Sequence, residues 1–307
     1  MNTLSRRDLA LLVALTLAWG LTWPVMKMGV RELPPLFFRA LSVGGGLAVL
    51  ALYARLTGVP LRLRREDWSD LVVLAIPNVV IWQMAVIVAL TLLPAGRGAI
   101  LGYTMPLWAA LLGALLYGEH PSLRQWLGIV AAIGAAGLLL SSEMATLAGH
   151  PAGTLLMLGA AVSWGYGTHQ ARRRGTHLPA LTAIVWMFAL ALVALVAASA
   201  VFESGRWRLP HGAEWATVAY SMLVSMAFCH VIWLRLARRL PAAASGLSMM
   251  MIPVVGVFSS RWLLGERPRW QDHAALVLIV MSLATALLPA RRAGPAMPDP
   301  ELPPGEP

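Results

Sequence analysis

The chain has 307 residues, of which 58% are hydrophobic and 12% charged, with a formal net charge of +10. Soluble chains average about 45–50% apolar and 25% charged residues, so the composition excludes a water-soluble globular protein and indicates a polytopic membrane protein, with room for about ten spans of about 20 residues each. The basic residues cluster between apolar runs, where they orient a chain in a bilayer, which argues against nucleic acid as a partner.

The opening stretch, MNTLSRRDLALLVALTLAWG, resembles a secretory or twin-arginine signal. Its apolar run continues through Trp19, Trp23 and Pro24 to about Val30 without a small-residue cleavage site, so it is expected to be a first transmembrane helix. Apolar stretches between charges and Pro/Gly punctuation then predict helices at 8–30, 34–55, 69–93, 96–117 and 122–141, followed by 152–171, 178–202, 214–235, 241–264 and 270–289. The Pro-rich segment 293–307 lacks apolar periodicity and is expected to be a disordered cytoplasmic tail. The single Cys229 lies inside an apolar run and permits no intramolecular disulfide.

Counting bases on alternate sides of these ten helices places 15 of the 24 Lys and Arg on the side of the N-terminus and 9 on the other. The excess predicts that both termini are cytoplasmic.

The chain also repeats itself. Trp19-Gly20 matches Trp164-Gly165 and Leu33-Pro34 matches Leu178-Pro179, each at an offset of 145 residues. Trp68 matches Trp215, Leu93-Pro94-Ala95 matches Leu240-Pro241-Ala242, Pro106 matches Pro253, Gly118-Glu119 matches Gly265-Glu266 and Pro121 matches Pro268, each at 147. Each repeat holds five helices, an odd number, so the second copy enters the membrane from the opposite face. The expected fold is an all-α integral membrane protein of ten transmembrane helices in two inverted repeats, residues 8–141 and 152–289. Inverted repeats are the architecture of secondary transporters, in which equivalent halves exchange conformations. In the Gly-Glu-x-Pro turns, Gly and charge are expected to end one span and Pro to begin the next helix.

Two passages, LPAGRGAILGYTMPLWAALLGALLYGEHPSLRQWLGIVAAIGAAGLLL and LPAAASGLSMMMIPVVGVFSSRWLLGERPRWQDHAALVLIVMSLATALL, carry a family likeness. With AWGLTWPVMKMG and LPPLFFRAL nearer the start, the chain resembles the EamA-type branch of the drug/metabolite transporter superfamily over residues 8 to 289. The resemblance implies a ten-helix transporter of small metabolites in the cytoplasmic (inner) membrane, commonly an exporter, with some members carrying aromatic amino acids. The chain departs from internal symmetry at Arg39, whose counterpart is Ile184.

No Asp or Glu falls in the middle of a predicted span; the acids lie at helix ends or in loops. Because membrane-buried charges are costly and kept for function, this argues against efflux of lipophilic cations and against carboxylate-based proton coupling, leaving facilitative or exchanging transport. Trp19, Asn78, Trp82, Gln83, Tyr103, Trp164, Tyr166 and Ser248 are the candidate substrate-binding residues, a mixture of aromatic walls and hydrogen-bonding groups that suits a small net-neutral ligand. The competing role for each is interhelical packing. His169 and His230 are candidate titratable groups. Pro24, Pro77, Pro106 and Pro253 each remove an intrahelical hydrogen bond and are candidate kinks.

No zinc-ligand spacing, phosphate loop or dinucleotide fingerprint occurs, so neither metal nor cofactor is expected. The expected partners are a small-molecule substrate and membrane lipid, with the protein a monomer. An intramembrane hydrolase is the alternative from another class, with Gly246-Leu247-Ser248 and His230 as a formal match, but it leaves the repeat unexplained. A channel or structural membrane protein is a further alternative.

Overall fold

A computed structural model describes residues 5–145, 150–174, 177–236 and 242–287. The expected tail, 293–307, lies outside the described residues, as do the turns at 146–149, 175–176 and 237–241. The described chain forms ten long helical rods. These are α1 Arg6–Glu32, α2 Pro35–Leu56, α3 Asp67–Leu92, α4 Ala95–Tyr117, α5 Leu123–Met144, α6 Pro151–Arg174, α7 Ala180–Glu203, α8 Glu214–Leu236, α9 Ala242–Leu264 and α10 Trp270–Leu287. Eight are long and apolar enough to cross a membrane. The other two carry polar ends, three arginines closing α6 and Asp272 and His273 opening α10.

Successive rods run antiparallel, so the bundle has a near end, where α1 begins, and a far end. The packing obeys the repeat. α1 lies against α9 and α4 against α6; α2 lies against α8 and α3 against α7; α2–α7, α4–α9 and α5–α10 are pairs formed by counterparts from the two halves. The first two crossings use the same device. A Cβ at Gly20 would strike the Val255 side chain and sit 3.2 Å from the Ile252 carbonyl, while one at Gly165 would sit 2.7 Å from the Ala109 amide nitrogen, 2.9 Å from Trp108 Cβ and 3.0 Å from the Met105 carbonyl. Gly20 and Gly165 are counterparts, as are Val255 and Trp108, and Ile252 and Met105. Small residues admit close backbone approach where the surrounding solvent is itself apolar.

The four prolines differ in their local structure. Pro24 and Pro253 sit inside uninterrupted α-helices. Pro77 opens a π-helical stretch, Ile76–Val80, and Pro106 begins the second segment of α4, after the turn at Tyr103 and Thr104. A second π stretch, Tyr220–Phe228, contains the residues 147 positions after Ile76–Val80. Here the repeat extends below the level of whole helices to the hydrogen-bonding of a single turn.

Both Gly-Glu-x-Pro turns put their glycine in the left-handed region, Gly118 at φ +67° and Gly265 at φ +66°, the conformation that closes a helix with least strain when no Cβ is present. The prolines do not begin the next helix as expected. α5 starts at Leu123 behind a Ser122/Gln125 capping box, and α10 starts at Trp270. Pro121 and Pro268 each lie two residues before their helix and stiffen the approach to it.

Candidate functional site

Half-way along the bundle, four helices bring aromatic rings together. Trp82 on α3 meets Trp164 on α6 edge-on, with centroids 5.1 Å apart, and Trp23 on α1 meets Tyr103 on α4 at 6.4 Å. A Cβ on Gly102 would lie within 3.4 Å of both Trp23 and Trp82, so the two pairs face each other across the α4 break. Such pairs are stabilised by ring quadrupoles in addition to apolar burial. Asn78 is buried one turn below Trp82, donates to the Leu74 carbonyl at 3.1 Å and fills the space left by Gly167. The expected residues Asn78, Trp82, Gln83, Tyr103 and Trp164 thus share one neighbourhood.

The remaining expected residues lie nearer the starting end of α1. Trp19 packs against His230 and Trp233, each at 5.9 Å, and His230 meets Phe188 at 5.1 Å and contacts the Ser225 carbonyl at 3.2 Å. Ser248 pairs with Thr16 at 2.6 Å, joining α9 to α1. Tyr166 accepts a 2.6 Å hydrogen bond from Gln170, whose amide also reaches Tyr117 at 3.2 Å.

His169 belongs to the near end. Its Nε2 lies 2.9 Å from Glu119, its ring stacks on Tyr117 at 4.2 Å, and Arg173 covers the Tyr117 ring at 4.4 Å. His169 is buried and Glu119 half-exposed. The counterpart acid behaves differently. Glu266 caps α4, accepting from the Ala95 and Gly96 amides at 2.7 and 3.1 Å. Glu203 does the same for α2, accepting from Leu36 and Phe37 at 3.0 and 2.8 Å. Two helices that start without a capping side chain of their own therefore take a carboxylate from a distant part of the chain, the last residue of α7 or the turn after α9, where the free amides and the helix dipole favour negative charge.

Also at the far end, Arg97 on α4 donates to Asp272 on α10, through Nε at 2.6 Å, and to Glu143 on α5. All three side chains are buried. Sequence reasoning placed these acids at helix ends, where they are, but missed their burial and the network they form. The signal was present: with an odd number of helices per repeat, positions 97, 143 and 272 all fall at the same end of the bundle. Two cavities mark the repeated turns. One of about 420 Å³ at the far end is lined by Arg97, Glu143, Glu266 and Asp272 among others, and one of about 290 Å³ at the near end includes Gly118, Glu119 and Pro121.

Comparison with known proteins matches this architecture. The EamA-like transporter family matches residues 7–141 and again 151–288, once on each half. The chain is 29% identical over 294 residues to YvbV of Bacillus subtilis, described as an uncharacterized transporter, with 92% of each chain covered. It is 28% identical over 282 residues to YedA of Escherichia coli, described as an uncharacterized inner membrane transporter, covering 90% of this chain and 89% of that one. A protein of Escherichia coli described as a probable amino-acid metabolite efflux pump is 24% identical over 293 residues, covering 91% and 94%. One crystal structure superposes with a TM-score of 0.64 at 25% identity, covering 94% of this chain and all of the other.

Proposed function

Because the chain belongs to the EamA-like transporter family, it is a membrane transporter and not an enzyme, and we propose that it exports small amphipathic metabolites, foremost neutral and aromatic amino acids, by alternating access. In this reading it sits in the inner membrane, as the name of YedA says of that relative, with both termini and the near end of the bundle cytoplasmic. The name of the efflux-pump relative supports the substrate class.

The observation that carries alternating access is the unequal use of two equivalent acids. Glu266 closes on the first turn of α4 at the far end, while Glu119 is turned to His169 and half-exposed at the near end. Two halves of one design can exchange these states, Glu119 taking the start of α9 while Glu266 lets go of α4, and the exchange opens the far end as it closes the near one. The aromatic pairs Trp82–Trp164 and Trp23–Tyr103 lie between the two ends, where the transported compound passes. No proton carrier is required, since Glu143 and Asp272 are already paired with Arg97, and Glu203 and Glu266 with backbone amides. The transport is facilitative or exchanging.

Counterflow in proteoliposomes tests the reading. Vesicles loaded with unlabelled tryptophan or phenylalanine should accumulate the labelled compound transiently, saturably and with little dependence on a pH gradient. Robust transport of a permanent cation with no amino-acid counterflow would overturn the substrate class.

A further inference from the structure

Two arginines are buried among the described residues, and they are treated in opposite ways. Arg97 is neutralised by Glu143 and Asp272. Arg39, the fifth residue of α2, is only 2% exposed, yet among the described residues no carboxylate pairs with it. Its Nε donates to Gln83 Oε1 at 2.7 Å, and its Nη1 meets the Met26 thioether at 3.2 Å. The other side of the Gln83 amide rests on a second thioether, Met226, at 3.7 Å.

Sulfur is a weak acceptor, so the outer edge of this guanidinium is solvated by groups that do little to offset its charge. An unpaired cation within a span is costly and is kept where it serves a ligand or an ion path. The arrangement is also oriented. Gln83 occupies Nε and fixes the plane, leaving the Nη edge, met by the Met26 thioether, as a fork of the shape that a carboxylate displacing that weak acceptor fills with two parallel hydrogen bonds. Gln83 follows Trp82 directly in sequence, and Met26 lies one turn from Trp23, so the two residues that hold Arg39 come from the same stretches of α3 and α1 that supply one ring to each aromatic pair.

We infer that Arg39, positioned by Gln83, receives the carboxylate of the transported compound. The inference rests on the transporter reading above and deepens it: an anionic carboxyl group becomes the required feature, with the aromatic pairs taking the rest of the molecule. Arg39 has no counterpart in the second half, where Ile184 stands, as expected of a residue that reads one end of an asymmetric ligand.

The test is ligand-induced stabilisation of the purified full-length protein, read by the reactivity of its single buried Cys229 toward a thiol dye on heating, with matched compounds that differ at one group. The probes are phenylalanine, its amide, phenethylamine and phenylacetate. The expected result is that phenylalanine binds roughly 10- to 100-fold more tightly than its amide, the range for a charge-assisted hydrogen-bonded pair. That ratio should collapse toward one in Arg39→Gln and be partly kept in Arg39→Lys. If phenylacetate alone binds and needs Arg39, the carboxylate site stands and the amino-acid reading falls. If phenylalanine and its amide bind equally to the parent protein, the amino-acid reading stands and Arg39 has no part in recognition. Binding of phenethylamine in preference to both acids, or of none of the four at millimolar concentration, overturns the proposal. The comparison of acid with amide in the parent protein can overturn the proposal even if both variants fail to fold.

Discussion

Removing Arg97 should be among the most damaging single changes in the far half of the bundle. Arg97→Ala deletes the Nε bond to Asp272 at 2.6 Å and the ion pair with Glu143, leaving two carboxylates with side chains 7% and 9% exposed. Each keeps one backbone donor, Arg269 N to Asp272 at 2.6 Å and His150 N to Glu143 at 2.7 Å, so neither is wholly unsolvated. What remains is two buried like charges without a cation, for which the cost is about 3–5 kcal/mol. At about 2–4 °C per kcal/mol for a chain of somewhat smaller size, the melting temperature should fall by roughly 10 °C. The assay can use Cys229, the only cysteine and a fully buried one, because a thiol-reactive dye then reports unfolding at one position. Arg97→Met combined with Glu143→Gln and Asp272→Asn should recover most of the loss, since it removes the stranded charges along with the cation. A single Arg97→Ala variant melting within a degree or two of the parent, or a triple variant no better than the single one, would refute the account of Arg97 as the neutralising centre.

Gly165→Ala should destabilise by about 1–3 kcal/mol through overpacking, because its Cβ would sit 2.7 Å from the Ala109 backbone nitrogen. Gly159→Ala in the same helix meets nothing within 4 Å and should be neutral or stabilising by up to about 1 kcal/mol; the same thermal assay compares them. Trp82→Ala and Trp164→Ala should each lower amino-acid counterflow at least tenfold at matched expression, whereas Trp207→Ala should leave it within about twofold. Equal activity in all three would return the tryptophans to packing. Single cysteines at Ser122 and Arg267, in a background lacking Cys229, should react with an impermeant reagent from opposite sides of the membrane, Arg267 from outside; labelling of both from one side would sink the inverted topology.

Much of the fold was legible because it is written in one-dimensional features. Ten apolar runs predicted ten helices, whose ends fall within a few residues of the observed ones, and the Trp-Gly, Leu-Pro and Gly-Glu echoes revealed the repeat before any contact was known. The aromatic neighbourhood was legible for the same reason, since Trp82, Tyr103 and Trp164 each fall near the middle of a run. The Arg97 network was not, because it joins side chains from three helices separated by 46 and 175 residues, and only the topology puts those ends together. Glu203 and Glu266 looked like terminators of their own helices. Their second role, capping α2 and α4, depends on which foreign helix starts beside them. Arg39 carried a clear signal, a cation inside an apolar run, but its partners, Gln83 on α3 and Met26 on α1, meet it only in the folded bundle.

The matched π stretches mark where this chain can change length. Every residue of an α-helix turns the following side chains by about 100°, and a π turn holds one more residue than an α turn of the same extent. Deleting one residue from Ile76–Val80 would let α3 relax to regular winding with the parts on either side still in register, leaving Trp82 and Gln83 facing Trp164 and Arg39, whereas the same deletion in a regular part of α3 would swing one side by about 100°. The same holds for Tyr220–Phe228, which sets Ser225 and Met226. A single-residue deletion inside these stretches costs the contacts of one residue, whereas one in the regular parts of the same spans re-aims a whole half-helix. Since both halves carry the irregularity at the same register, one extra residue inherited before the duplication accounts for it more simply than two later insertions. A deletion scan along α3 and α8 would therefore show a narrow tolerant window at each π stretch, inside spans that otherwise lose their register when one residue is removed.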